Sequence, residues 1–278
     1  MTTPLPESTP AAPAPSRPLR TVLLVGGSIL IVIVLALVAI RVSMQLTRSD
    51  ASETVNVAEQ FDAIEISSSA SDVTVEYADV DDAVIEFDQG DTVREIRFEH
   101  GVRSGVLEIE LSDRTWIPWI WGFGGEGSEL TVTLPEALES TPVEISVDST
   151  AGNITVDGAF ADIDVETTAG NLELAGSATA LTLETTAGNV DVVDFELEGD
   201  LSSQSTAGNT TFEFTTVPSS VRVSSTAGNI EFIAPDGSYR IETDVTAGTV
   251  DSELSSDAAS DRIFRFETTA GNIDLRVR

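Results

Sequence analysis

The groups in this chain with the capacity for chemistry are carboxylates. Asp164, Glu166, Glu173, Glu184 and Asp191 recur at regular spacing, and a row of acids on one outer face of a stacked β-structure is the arrangement a glycan-cleaving enzyme would use, one acid protonating the leaving oxygen and another activating water. The same oxygens could ligate a hard divalent cation such as Ca2+. Other chemistries lack their parts. His100 is the only histidine and cysteine is absent, so a histidine-based triad would have to be built around one turn residue, and no thiolate or multi-histidine metal site can form. No glycine-rich phosphate loop precedes a helix. The regular spacing of the acids is also what a solvated strand face produces, and the chain reads as non-enzymatic, with no cofactor beyond that candidate Ca2+.

The elements that must carry these acids are set by a repeat. Thr-Ala-Gly-Asn occurs at Thr150–Asn153, Thr168–Asn171, Thr186–Asn189, Thr206–Asn209, Thr226–Asn229 and Thr269–Asn272, with a variant ending in Thr at Thr246–Thr249. Successive glycines from Gly152 to Gly271 are 18, 18, 20, 20, 20 and 23 residues apart. A fixed period in this range marks stacked coils. Around each glycine the residues alternate: Ile163, Val165, Thr167 and Ala169 precede Gly170, and Leu172 and Leu174 follow it. Period-2 patterning places these on one face of two successive strands. Asp164, Glu166, Thr182, Glu184, Glu173, Asp191, Glu231 and Asp251 take the outward positions. The fold class that follows is all-β, a β-solenoid with coils of about 18–20 residues.

The corners Gly152-Asn153, Gly170-Asn171, Gly188-Asn189, Gly208-Asn209, Gly228-Asn229, Gly248 and Gly271-Asn272 are accordingly structural turns. Glycine is expected to supply positive φ, with Asn tolerating the same region. If coils pair in parallel, like positions stack about 4.8 Å apart, giving one ladder of Asn side chains and another of the Thr that precedes each Ala. Glu173 and Asp191 would then be like-charged neighbours, screened by solvent and salt or bridged by a divalent cation. Arg262, Arg265, Arg276 and Arg278 would give the final coil a charged terminal surface.

Upstream, Ser71-Asp72 stands where Gly-Asn stands later, so Ile64–Val75 is an earlier copy of the repeat. The 81 residues from Ser71 to Gly152 hold alternating runs at 84–87, 93–99, 106–111 and 130–134, either diverged coils or a small sheet capping the stack. An insertion at 114–128 carries Trp116, Ile117, Trp119, Ile120, Trp121 and Phe123. These apolar residues either cover a flank or open end of the solenoid or form an interaction loop that docks a partner or enters the membrane interface.

Residues 1–18 form a Pro/Ala/Ser/Thr-rich tail that composition marks as disordered. Within 19–46, Thr21–Ile40 is uncharged and bracketed by Arg20 and Arg41. Twenty such residues span about 30 Å as a helix, too long for the apolar core of a cleaved signal peptide. The segment reads as a transmembrane signal anchor, followed by a linker at 47–56 and the domain at 57–278. Arginines balance across the span; the large acidic domain places the N-terminus in the cytoplasm and the C-terminal domain outside the cell. From residue 49 onward there are 10 arginines and 46 acids in a chain without lysine, a net charge of −36 (10 − 46). That field repels nucleic acid and anionic headgroups. The partners it leaves are the bilayer, through the single helix, and an envelope protein or glycan.

A single N-terminal span followed by small-Gly-Asn/Asp-hydrophobic corners resembles the bacterial putative-adhesin family of β-strand-repeat domains of unknown function. The resemblance covers Phe61 to Arg278 and rests on the TAGN corners, with Ser71-Asp72 as an earlier variant. It implies a β-solenoid in the cell envelope, where some relatives belong to stress systems. The Trp-rich insertion has no counterpart in the family pattern.

Overall fold

The computed structural model describes residues 52–90, 96–113 and 127–278. The tail, the Thr21–Ile40 run and residues 114–126, with all the aromatic and apolar side chains of the insertion from Trp116 to Phe123, lie outside the described residues. Among the described residues no helix is long and apolar enough to cross a membrane.

In chain order the strands are β1 (Ser52–Val57), β2 (Ala63–Ser68), β3 (Ser71–Ala78), β4 (Ala83–Asp88), β5 (Ile96–Arg103), β6 (Val106–Asp113), β7 (Ser128–Pro135), β8 (Glu144–Ala151), β9 (Ile154–Ala159), β10 (Asp162–Ala169) and β11 (Leu172–Ala178). They continue with β12 (Ala180–Ala187), β13 (Val190–Leu197), β14 (Asp200–Ala207), β15 (Thr210–Phe214), β16 (Ser220–Ala227), β17 (Ile230–Ala234), β18 (Arg240–Ala247), β19 (Val250–Ser252), β20 (Ile263–Ala270) and β21 (Ile273–Val277). One sheet runs β1-β4-β7-β3-β9-β11-β13-β15-β17-β21-β19 and the other β18-β20-β16-β14-β12-β10-β8-β2-β6-β5. Each coil gives one strand to each sheet, and coils pair in parallel and in register, with Ile163 beside Leu181 and Leu172 beside Val190. The fold is therefore all-β, built of stacked parallel strand pairs.

Inward positions pack one continuous core. Ile145, Val165, Leu181, Val190, Phe212, Phe232, Phe266 and Leu275 are all essentially inaccessible, as alternation over two facing sheets requires. Phe rings concentrate toward the later coils, where Phe214, Phe232 and Phe266 pack at centroid distances of 5.6 and 5.0 Å.

Several expectations are corrected. Ala169, Ala187, Ala207, Ala227 and Ala270 are exposed, not inward. The alternation ends one step earlier, at the buried Thr167, Thr185, Ser205, Ser225 and Thr268. The chain begins its corner there, because the Ala carbonyl must face along the stack to accept from the glycine of the preceding coil, as Ala169 O does from Gly152 N at 3.1 Å. Residues 52–56 are not a linker but most of β1, an antiparallel partner of β4. Ser128, assigned to the insertion, is buried and opens β7. The stretch from Ser71 to Gly152 contributes one further coil, β6/β7, beside β2/β3, and two antiparallel strands, β4 and β5, which with β1 close that end. His100 sits within strand β5 rather than in a turn, exposed and 5.2 Å from the Phe98 ring.

The final coil is not terminal. β20 lies between β16 and β18, and β21 between β17 and β19, so the coil bearing Arg265 and Arg276 is second from the end. The outermost position belongs to β18/β19, whose sequence precedes it.

Candidate functional site

The corner column is a continuous hydrogen-bonded ladder on the surface of the stack. Each Asn uses its side-chain oxygen to accept from the backbone N–H of the next coil's Asn: Asn171 N donates to Asn153 Oδ1 at 3.1 Å, Asn189 N to Asn171 Oδ1 at 3.1 Å, Asn209 N to Asn189 Oδ1 at 3.0 Å, Asn229 N to Asn209 Oδ1 at 3.1 Å and Asn272 N to Asn229 Oδ1 at 2.9 Å. Side-chain amides reinforce most steps, as where Asn189 Nδ2 donates to Asn171 Oδ1 at 3.3 Å. At one end Asp72 Oδ1 takes the acceptor role, receiving Asn153 N at 2.6 Å. At the other, Thr249 donates both its N–H and its hydroxyl to Asn272 Oδ1, at 3.1 and 2.9 Å. The Thr variant occupies the one position where no further coil asks for an acceptor.

The glycines are required chiefly by close approach. A Cβ at Gly188 would lie 1.8 Å from Gly170 O. Gly188 also has φ 148, but Gly228 shows no such φ, and a Cβ there would still lie 1.8 Å from Gly208 O. Stacking of backbone on backbone is thus the shared demand, with positive φ an addition at most corners. The Asn residues do not adopt positive φ. Among the described residues only Ser104 and Asp194 do so outside glycine, at 54° and 53°. Asp194 marks a bulge where the β13–β15 register shifts and Val193 turns outward.

Behind the corner runs a column of buried hydroxyls: Ser68, Ser149, Thr167, Thr185, Ser205, Ser225 and Thr268. Thr268 Oγ1 donates to Gly228 O at 3.3 Å and Ser149 Oγ to Ala151 O at 3.3 Å. The hydroxyls of Thr167, Thr185, Ser205 and Ser225 have no protein hydrogen-bond partner, nor do those of Ser203 and Thr210 in the β14/β15 coil.

The carboxylates proposed as a cluster are divided by the corner. Asp164, Glu166 and Glu184 lie on the β10/β12 sheet, with Glu166 beside Glu184, while Glu173 and Asp191 are neighbours on the opposite sheet. The five acids therefore form two separate rows on opposite outer faces rather than one cluster. Among the described residues no group of three or more His, Asp or Glu side chains converges to hold a metal ion. Ion pairs gather at the end of the stack: Arg265 Nη2 meets Glu242 Oε2 at 2.5 Å, Arg240 Nε meets Glu242 Oε1 at 3.2 Å, and Arg276 pairs with Glu231 and Asp274 at 3.1 and 2.5 Å. Arg278 joins Asp194 and Glu213. The Arg265 hydrogen bond, more than any other influence, holds the Glu242 carboxyl below its ordinary value. Asp257 is also lowered, by the Ala259 N–H and the Ser238 hydroxyl. Burial pushes the Tyr77 phenol up to about 12, with the nearby Glu139 charge adding to it; the hydroxyl donates to Ala159 O at 2.8 Å.

Sequence reasoning missed the ties of Arg278 and the out-of-order coil. Two signals for the latter were present: the 23-residue gap before Gly271 and the loss of Asn at Thr249.

A stack of parallel strand pairs with a polar corner ladder defines the class, a β-strand-repeat solenoid. Residues 61–276 match the model of the Toastrack DUF4097 family, and the chain belongs to that family. No curated protein matches it. Solved structures similar to the chain include a "putative adhesin" from Parabacteroides distasonis ATCC 8503, 11% identical, covering 81% of this chain and 96% of that one with a TM-score of 0.46. Another "putative adhesin", from Bacteroides fragilis NCTC 9343, is 12% identical and covers 82% and 98%, with a TM-score of 0.45. A "putative lipid binding protein" from Parabacteroides distasonis ATCC 8503 is 14% identical and covers 81% and 96%, also at 0.45. Similarity at this level decides nothing about ligands.

Proposed function

We propose that this protein is a non-enzymatic, membrane-anchored envelope protein whose solenoid is displayed outside the cell as an adhesion or interaction scaffold. The observation that carries this reading is the pair of long outward faces, in sheets of eleven and ten strands, whose exposed residues are mostly acids and small polar groups in fixed register. A rigid, repetitive face of this kind binds through many weak contacts to a partner or glycan that is itself extended, and avidity supplies the strength. Thr21–Ile40 serves as the anchor, with the tail inside the cell and the acidic domain outside. The carboxylate rows are screened by solvent and salt; a calcium-bridged row would instead raise the melting midpoint at millimolar Ca2+ above that in Mg2+ at equal ionic strength.

Proximity labelling from the solenoid in the native bacterium tests the scaffold reading. Reproducible labelling of envelope proteins, unaffected by Trp116→Ala, Trp119→Ala and Trp121→Ala together, supports the faces as the binding surface. Loss of all labelled partners in that triple variant, with the solenoid still folded, would move the function to the insertion and to a membrane partner in envelope-stress signalling.

A further inference from the structure

The order of coils in space differs from their order in sequence at one end of the stack, and the sequence of the displaced coil fits the place it does not occupy. Gly248 follows Gly228 by 20 residues, the same step that separates Gly188, Gly208 and Gly228. The connection from β17 to β18 (residues 235–239) has the same length as that from β15 to β16 (residues 215–219), yet β16 lies directly beside β14 whereas β18 is two strands from β16. β18 carries Ile241, Thr243 and Val245 in register with Phe264, Phe266 and Thr268, which in turn lie beside Val221, Val223 and Ser225. Its alternation therefore matches β16 as well as it matches β20. The corner is equally compatible: Thr249 N–H donates to Asn272 Oδ1 at 3.1 Å, and Asn229 Oδ1 offers the same acceptor one coil earlier, now used by Asn272 N.

We propose that β18/β19 is a placeholder. It docks on β16/β17 as soon as it is available, covers the growing edge, and moves outward by one coil when β20/β21 inserts. Uncovered parallel edges invite mispairing, and a chain made from its N-terminus has β18/β19 in hand before β20/β21. Two features then drive the exchange. Phe264, Phe266, Ile273 and Leu275 are fully buried in the final order, whereas the residues left outermost are the half-buried Ile241 and Val245 with the exposed Thr243, Val250 and Ser252, Val250 being 44% exposed. Thr249 supplies no Oδ1, so in the inner position it would leave the next Asn N–H without its ladder acceptor.

The chain has no cysteine, so engineered pairs report without background. In the final structure Ser224 is beside Glu267 and Glu267 beside Asp244; Ser224 and Asp244 are then two strand spacings apart, about 10 Å, beyond disulfide reach. During refolding of the full-length chain in detergent, with oxidation quenched at intervals, Ser224→Cys/Asp244→Cys is expected to cross-link early and to lose that capacity as Ser224→Cys/Glu267→Cys gains it. Thr249→Asn, which restores the missing acceptor, is expected to prolong the early pair. Pulse-labelled hydrogen exchange on the unmodified chain gives an independent reading, with β18 amides protected before those of β20. An early pair no more frequent than a distant control such as Glu166→Cys/Asp244→Cys, or β20 amides protected before those of β18, would overturn the proposal: β18/β19 would then wait undocked.

Discussion

Replacing Gly188 by Ala tests the claim that backbone stacking at the corner holds the coils together. The added Cβ would sit 1.8 Å from Gly170 O, where real Cβ atoms keep at least 3.0 Å, so the two coils must part locally by about 1.2 Å. Four hydrogen bonds cross that interface at the corner: Gly170 N to Ala187 O at 3.0 Å, Leu172 N to Asn189 O at 2.9 Å, and Asn189 N and Nδ2 to Asn171 Oδ1 at 3.1 and 3.3 Å. A separation of that size breaks or badly weakens at least two, at about 0.5–1.5 kcal/mol each. Holding Ala at φ 148 adds about 1–3 kcal/mol. The expected loss is about 2–6 kcal/mol, read as a lowered urea midpoint of the solenoid. Gly101→Ala is the control, because its Cβ meets nothing within 4 Å, and it should change stability by less than about 1 kcal/mol. A Gly188→Ala chain as stable as the Gly101→Ala chain would refute close approach as the reason for the glycine.

Removing one rung of the ladder has a smaller effect that depends on position. Asn189→Ala takes an acceptor from Asn209 N and should cost about 1 kcal/mol, whereas Thr249→Asn at the end of the ladder should leave equilibrium stability unchanged within about 0.5 kcal/mol; equal effects in thermal melting would argue against the ladder. Thr210 lies between Val190 and Ile230 with a buried hydroxyl that has no protein partner. Thr210→Val should therefore stabilise by about 1 kcal/mol, and a destabilised variant in the same urea titration would show that the hydroxyl is satisfied. Glu242 is held below its ordinary pKa in the folded chain, so its contribution is present above the unfolded value and is lost as pH falls through the folded one. Hydrogen exchange in β18 should accelerate in acid below the ordinary glutamate range, and Glu242→Gln should flatten that dependence while loosening β18 at neutral pH.

Period and face were legible in the sequence because both are local. The 18- and 20-residue glycine steps reveal the coil, and alternation through Val165, Thr167, Leu172 and Leu174 reveals the inward side. Which coil lies beside which is not local. β18 and β20 carry interchangeable alternation, and only the ring volume of Phe264 and Phe266 and the missing Asn at Thr249 decide which is outermost. The antiparallel closure by β1, β4 and β5 was hidden for a similar reason: alternation shows which side of a strand is buried but not the direction of its partner. The Ala corner positions misled because small size suits both a tight interior and an outer turn, and the carbonyl that fixes the choice belongs to the backbone. The acids that looked like one cluster were separated by a turn of the chain that spacing alone does not translate into two sheets.

Cysteine accessibility in intact cells tests the outward-displayed, membrane-anchored scaffold most directly. Thr182→Cys lies on the exposed face of β12, and Thr9→Cys lies in the N-terminal tail. An impermeant maleimide is expected to modify Thr182→Cys in membrane-bound protein of unbroken cells and to reach Thr9→Cys only after lysis. Labelling of Thr9→Cys with Thr182→Cys protected, or recovery of the labelled chain free of the membrane, would contradict it.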